Sequence, residues 1–412
     1  GEDLLAARPI YAKSHCQGEF VFYHCGAEAY ERAGGQYFPK LLGAVPFTPV
    51  TGRRFLVPPG PDQDRLQNAL LSAAIQVAAQ NDFSSVHINF LSAEHASQMA
   101  ETGLLVRTDQ QFHWQNDGYE DFPDFLAALS SAKRKNLRKE RAKAQAGLTF
   151  KHLTGDQITE EHWDAFFEFY MDTGSRKWGY PYLNRKTFSV LGERMADHIL
   201  LILAYDEDLP LAGALNLIGS DTLYGRYWGC TDPRPFLHFE TCYYQAIDFA
   251  IARNLQTVEA GAQGGHKLAR GYVPVTTHSA HWIAHKGLRE AIGDYLERER
   301  SAVEHASEYL MKRTPFDAAP AYPKRAYASG CSNREGFWPR SIMRPMPNSI
   351  GGAFRPLGAW QFAFPDHSLS LQNVKLLTPS NTRTKRSSMN SKQTMMIESI
   401  WVVGAGAHGP CF

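Results

Sequence analysis

Apolar residues recur along the first three quarters of the chain in two rhythms, and both rhythms stop near Pro315. Between 62 and 79, Leu66, Ala69, Leu70, Ala73, Ala74 and Val77 fall at helical spacing and predict a core-facing helix. Shorter apolar runs at 4–13, 19–23 and 85–91 read as strands. A helix over 93–101 is stopped by Gly103, and a strand at 104–108 leads on to 111–114. The second half predicts helices over 159–173 and 185–196, then a strand at 198–205. Two apolar strands (211–218 and 222–229), a helical run (239–252), a short strand (257–261), a basic glycine turn (263–272) and a last strand (277–283) follow. A connector helix over 122–143 can turn Phe125, Leu126, Leu129 and Leu137 inward. A helix from 288 to about 312 closes the body. Long helix and strands come in the same order in both halves, which predicts two α/β domains with mixed sheets, 1–121 and 122–315.

At 412 residues, 43% hydrophobic and 12% aromatic, the chain has the size and composition of two globular domains. No run of about 18 apolar residues predicts a membrane span. The first residues are Gly-Glu-Asp, entering a strand almost at once, so the first domain is expected to be incomplete at its start. The net charge of +1 conceals an asymmetry: from Ala318 onward eleven Lys and Arg face three acids, leaving the body mildly acidic. That tail, 316–412, scatters Pro, Ser, Asn and Arg without period. It is expected to be disordered or an anomalous extension, the alternative being a basic nucleic-acid arm. The six cysteines show no Cys-x-x-Cys pair and no metal-ligand spacing, so no metal site is expected, and they read as thiols of a reducing, cytoplasmic compartment.

Two basic segments carry candidate chemistry. Lys133, Arg134, Lys135, Arg138, Lys139, Arg141 and Lys143 place seven cations in eleven residues, either a solvated helix face or a contact surface for phosphates. In the turn after 259, Gly264, Gly265 and Gly271 allow close backbone approach, while His266, Lys267 and Arg270 add cations and an imidazole. That set suits a phosphate, a carboxylate or the oxyanion of acyl transfer. Glu240, opening the long helix, and Glu259, ending a central strand, are candidate general bases, although a helix start also favours a carboxylate for structural reasons. On the adjacent strand Tyr224, Arg226, Tyr227 and Trp228 alternate faces, so one pair lines a cleft and the other packs. The segment from Arg176 to Tyr180 is expected over the acceptor side.

Strand, strand, helix, strand, basic glycine turn, strand resembles the second half of a GNAT-type acyltransferase. The turn Lys267-Leu-Ala-Arg-Gly-Tyr is similar to the Lys-x-x-x-Gly-Phe segment of FemABX-like peptidyltransferases, and Lys133, Lys135, Asn136, Leu137 and Arg138 resemble their basic helix. This resemblance to the FemAB-like branch linked to peptidoglycan biosynthesis or recognition implies tandem GNAT-like domains. It also implies a role for Lys267 in acyl transfer and an aminoacyl-tRNA donor. The glycine loop that cradles the pyrophosphate of acetyl-CoA is replaced by Thr231-Asp-Pro-Arg-Pro-Phe, whose two prolines remove amide donors. The expectation is an acyl- or aminoacyl-transferase acting on an amine, such as a cell-wall precursor, with no permanently bound cofactor. Lys267, Glu259 and Glu240 would be catalytic. Arg270, His266, Gly264, Gly265, Gly271, Tyr227, Trp228, Arg176, Lys133, Arg134, Lys135 and Arg138 would bind substrate. A CoA-dependent N-acyltransferase and a non-catalytic precursor-binding protein are the alternatives.

Overall fold

The computed structural model describes residues 4–21, 24–32, 34–176, 181–261, 264–316, 374–377 and 398–405. The first half contains β1 (Leu4–Lys13), α1 (His24–Arg32), β2 (Lys40–Gly43), α2 (Gln63–Gln80), β3 (Ser85–Leu91), α3 (Ala93–Glu101) and β4 (Leu105–Gln115). Then come α4 (Phe122–Ala127), α5 (Ser131–Gln145), β5 (Leu148–Thr154), α6 (Glu160–Arg176), α7 (Arg185–Met195), β6 (Ile199–Asp206), β7 (Leu209–Ile218) and β8 (Thr222–Cys230). A helix follows in three parts: α8 (Leu237–Phe239), a π-turn (Glu240–Tyr244) and α9 (Gln245–Ala252). β9 (Thr257–Glu259), a 3-10 turn (Gly265–Arg270), β10 (Val273–Ile283) and α10 (Lys286–Met311) complete the body.

All strands join one mixed sheet, in the order β11-β12-β1-β2-β3-β10-β4-β9-β8-β7-β6-β5. β11 (Val374–Leu377) and β12 (Glu398–Ala405) are the described parts of the tail, and β12 lies antiparallel against the edge of β1. The expectation of disorder covered 316–412; apart from Phe316 and these two strands, the tail lies outside the described residues. The boundary near residue 121 is not a boundary of the sheet. β10, from the second half, pairs with both β3 and β4 of the first.

Two parallel pairs interrupt an otherwise antiparallel ladder. β2 runs parallel to β3 and β8 to β9, each pair joined by a crossover helix, α2 in the first case and α8–α9 in the second. Parallel neighbours need such a crossover, and the repeated element order in the sequence reflects it. α2 buries Leu70, Leu71, Ala74 and Val77 against β1 and β3, and Ile247 and Phe249 of α9 pack on Trp114, Leu223 and Val258. On the opposite face α6 and α7 bring Trp163, Phe166, Phe169 and Phe188 onto β6 and β7.

Several elements differ from expectation for local reasons. The connector is broken at Ser130, whose N–H donates to the Pro315 carbonyl (2.8 Å), so α4 and α5 are separate helices. Residues 19–21 form a bend instead of a strand, with Phe20 at φ 57°. β5 and β2 carry no clean alternation that would announce them; β5 reads Leu-Thr-Phe-Lys-His-Leu-Thr and lies at the sheet's edge.

Candidate active site

β8 and β9 stay parallel for only three residues, ending with Tyr224 opposite Glu259. β9 stops there while β8 continues to Cys230, so the sheet opens at the carboxyl end of a parallel pair, where ligands of α/β sheets commonly enter. Just past the parting point β8 bulges. Leu215 faces Tyr227 but Asn216 faces Gly225, which leaves Arg226 as the extra residue. The bulge reverses the phase of the strand. Leu223 packs on the α9 side, yet Tyr227 packs with the α6 cluster and Trp228 with Leu237. Simple alternation, as read from the sequence, would have placed Tyr227 with Leu223.

Glu259 on β9 pairs with His113 on β4, with Oε1 3.8 Å from Nδ1, both side chains buried. Burial and the Lys267 charge push the His113 imidazole down to about 3, so this contact joins a neutral ring to the carboxyl group. His113 Nε2 meets Gln111 Oε1 at 3.3 Å, and Gln111 Nε2 donates to the Pro49 carbonyl (2.9 Å). Lys267 reaches the same place from the 3-10 turn, its Nζ donating to the Gly261 carbonyl at 2.8 Å. Lys267 is 1% exposed. Burial pulls its ammonium down to about 8, a shift that the neighbouring Cys242 thiol opposes.

A wall of rings and one guanidinium stands beside this group and joins the two halves. Arg226 Nη2 donates to the Tyr182 hydroxyl (2.8 Å), which lies 3.0 Å from the Tyr227 hydroxyl. The Arg226 guanidinium also lies over the rings of Tyr227 (4.4 Å) and Phe20 (5.4 Å). Tyr182 stacks on Phe47 of the first half, ring centroids 4.0 Å apart. Burial raises the Tyr227 hydroxyl, so it stays protonated.

The profile of the FemAB-like family, described as peptidoglycan biosynthesis/recognition, matches residues 1–318. The chain belongs to the FemAB-like family. No curated protein matches it. Among solved structures, this FemAB-like protein is similar to FemX at 14% identity, over 61% of this chain and 85% of that one, with a TM-score of 0.42. L-PGS from Bacillus licheniformis matches at 10% identity, over 57% and 78%, TM-score 0.40. A tandem GNAT protein from the clavulanic acid biosynthesis pathway matches at 13%, over 58% and 76%, TM-score 0.35.

Several residues expected at the site of this FemAB-like protein are committed elsewhere. Arg270 is not available to an anionic substrate. Its Nη2 donates to Glu140 Oε2 (2.8 Å), its Nη1 to the His266 carbonyl, and its guanidinium covers the Phe239 ring. Glu140 also accepts from the Tyr244 hydroxyl (2.7 Å), so Arg270 ties the turn to α5. Glu240 is fully buried in the π-turn, where Gln145, Gln245 and Arg141 converge on its Oε1. Burial raises its carboxyl and Arg141 opposes the rise. Those partners make it a tie between α5 and the crossover helix and not a base beside Lys267. On α5, Lys135 and Arg138 are exposed and Lys133 and Arg134 half-buried, with Leu137 facing the core.

His266 bonds the Tyr243 hydroxyl (2.9 Å) through Nε2 and belongs to a ring cluster with Phe239 and His238. Gly271, at φ 87°, makes room for Phe125, since a Cβ there would lie 2.7 Å from its ring. Gly264 accommodates the His266 ring in the same way, while Gly265 has open space beside it. Trp228 lines a separate cavity of about 280 Å³ with Thr173, Arg234, Leu237 and His238, at the start of α8. Arg234 is held there by Asp206 and Asp232. Arg176 is the last residue of α6, and 177–180 lie outside the described residues. Sequence reasoning passed over His113, although alternation along 111–114 sets Gln111 and His113 opposite Phe112 and Trp114. Among the described residues no group of three His, Cys, Asp or Glu is placed to hold a metal ion, and no helix is long and apolar enough to cross a membrane.

Proposed function

We propose that this FemAB-like protein is an acyl- or aminoacyl-transferase acting on an amine of a peptidoglycan precursor, at the opening between β8 and β9. The observation that carries this reading is the buried Lys267, drawn down to about 8 within reach of His113, which in turn meets Glu259 where the strands part. A lysine so close to neutrality can hold a developing oxyanion as the ammonium and return a proton to the leaving group. Glu259 is the carboxylate on hand to take the proton of the attacking amine. Arg226, held among the described residues by a hydroxyl and ring faces, replaces Arg270 as the cation that meets an anionic part of the substrate.

The segment expected to cradle a CoA pyrophosphate does not favour that donor. Pro233 and Pro235 lack amide hydrogens, and Arg234 spends its donors on Asp206 and Asp232. This supports a donor carried otherwise, such as aminoacyl-tRNA, for which the exposed Lys135 and Arg138 offer charge. A non-catalytic precursor-binding protein is the second reading, favoured by the engagement of Arg270 and Glu240 in internal pairs. The test is to incubate the purified chain with a lipid-free muropeptide precursor and either charged tRNA or acyl-CoA, then measure the acceptor's mass. A gain of one aminoacyl group with charged tRNA supports the proposal, and a gain with acyl-CoA alone moves the donor to CoA. Binding of the precursor without any mass change, under all donors, makes it a binding protein.

A further inference from the structure

Arg8 lies on the core face of β1 between Ala6 and Ile10, and its side chain is 0% exposed. Its Nε, Nη1 and Nη2 are all buried and have no hydrogen-bond partner among the described residues. What surrounds the guanidinium is the face of the Phe55 ring, with Cζ 4.7 Å from its centroid, and the bare backbone of Gly43, where a Cβ would lie 2.6 Å from Nη2. The charge that acts on it makes matters worse, because it belongs to a second buried arginine, Arg54. Burial, with the charge of Arg54 added, pulls Arg8 down to about 9, and burial pulls Arg54 to about 10. Arg54 gives its own donors to the carbonyls of Asn89 (2.7 Å), Val50 (2.5 Å) and Arg53 (3.3 Å). Neither guanidinium has a carboxylate partner among the described residues. Buried charges in folded proteins are paired, and an unpaired one signals a missing counter-group.

The place is as informative as the charge. β2 ends at Gly43, opposite Ile88, while β3 continues through Asn89, so the two arginines stand where the parallel pair β2–β3 parts. It is the first half's counterpart of the β8–β9 opening, at the carboxyl end of a parallel pair joined by a crossover helix. We infer that Arg8 and Arg54 form a second binding site, for a small oxyanion presenting a carboxylate or a phosphate group. The planar fork of Arg8 matches two oxygens of such a group, and one anion between the guanidinium groups relieves both charges, which a neutral water does not. Gly43, having no Cβ, leaves the room that Nη2 occupies against its backbone.

The test uses the full chain in chloride buffer at constant ionic strength, titrated with sodium phosphate in one arm and sodium acetate in the other. Thermal unfolding and calorimetry are the readouts, and neither depends on transferase activity. At least one anion should bind saturably and raise the wild-type Tm as its concentration rises. Binding in the phosphate arm alone assigns a phosphoryl ligand, and binding in the acetate arm alone a carboxylate. Arg8→Met should lose this response and, without anion, melt above the wild type, because an uncompensated buried charge has been removed. Arg8→Lys keeps the charge without the fork and should still respond, at higher anion concentration; it serves if Arg8→Met does not fold. No anion-dependent rise in the wild type, or an equal rise in Arg8→Met or undiminished affinity in Arg8→Lys, overturns the site.

Discussion

Lys267 shows how one buried cation couples chemistry to pH. Its ammonium is the form that donates to Gly261 and can hold an oxyanion, and it is lost as pH rises through about 8. Turnover is therefore expected to fall on the alkaline side with a midpoint near that value, and a pH–rate profile checks it. Lys267→Met, which keeps the volume, should remove this limb and lower turnover about 10²- to 10³-fold. Stability runs the other way. Below about 8 the lysine is charged in both folded and unfolded chains and its burial cost is fully present. Between about 8 and the ordinary 10.5 only the unfolded chain keeps the proton, so this residue makes stability rise with pH across that window. Arg226→Ala should raise KM more than it lowers kcat, as expected for a contact made equally in ground and transition states, and steady-state kinetics separate the two. Arg270→Ala should instead act on folding. It leaves Glu140 without its buried partner, a loss of about 3 kcal/mol measurable by urea unfolding, with KM little changed.

At the scale of elements, the site depends on how closely α6 lies against β8. Gly229 is the point of contact: a Cβ there would lie 2.0 Å from the Phe169 carbonyl oxygen, a backbone atom that no side-chain rotation can move. Gly229→Ala is expected to lift α6 from the sheet and destabilise the protein by about 1–3 kcal/mol or more. Because α6 carries Tyr170, which packs against Tyr227, the variant should also disturb the aromatic wall. Loss of activity exceeding the loss of folded protein, read by comparing turnover with circular dichroism, is the expected pattern. The π-turn Glu240–Tyr244 is a second such device. One wider turn sets Glu240 toward Arg141 and Gln145, while the same short segment carries Cys242 near Lys267.

Across the whole molecule, β10 is the element that makes two halves one sheet. It fills the gap between β3 and β4, pairing with β4 from Val273 to His281. A fragment of residues 1–121 lacks that strand and exposes two edges, and a fragment of 122–316 has a strand with no partners. Neither is expected to give a cooperative unfolding transition alone, whereas the intact chain should unfold in one. Calorimetry of the three proteins decides, and independent melting of the fragments would show two autonomous domains. Phe47 on Tyr182 and His113 on Glu259 add contacts across the same junction, so the candidate site needs both halves.

What the sequence determined by itself was the order of most of the body's elements, because helices and strands follow from local periodicity. The residues of α2, α3, β3 and β6 and the length of α10 were legible to within one or two positions. The family was legible as well, since the Lys267-Leu-Ala-Arg-Gly-Tyr turn follows a recognisable run of elements and the family profile spans 1–318. The neighbourhood of each side chain was not legible. One bulged residue at Arg226 reversed which face Tyr227 occupies, and a bulge leaves no trace in a pattern of period two. Arg270 and Lys267 lie three residues apart in one basic turn, yet the fold gives the first an acidic partner on α5 and encloses the second beside His113. Charge is written in the sequence, but the partner and the solvent that set its use are brought by residues more than a hundred positions away.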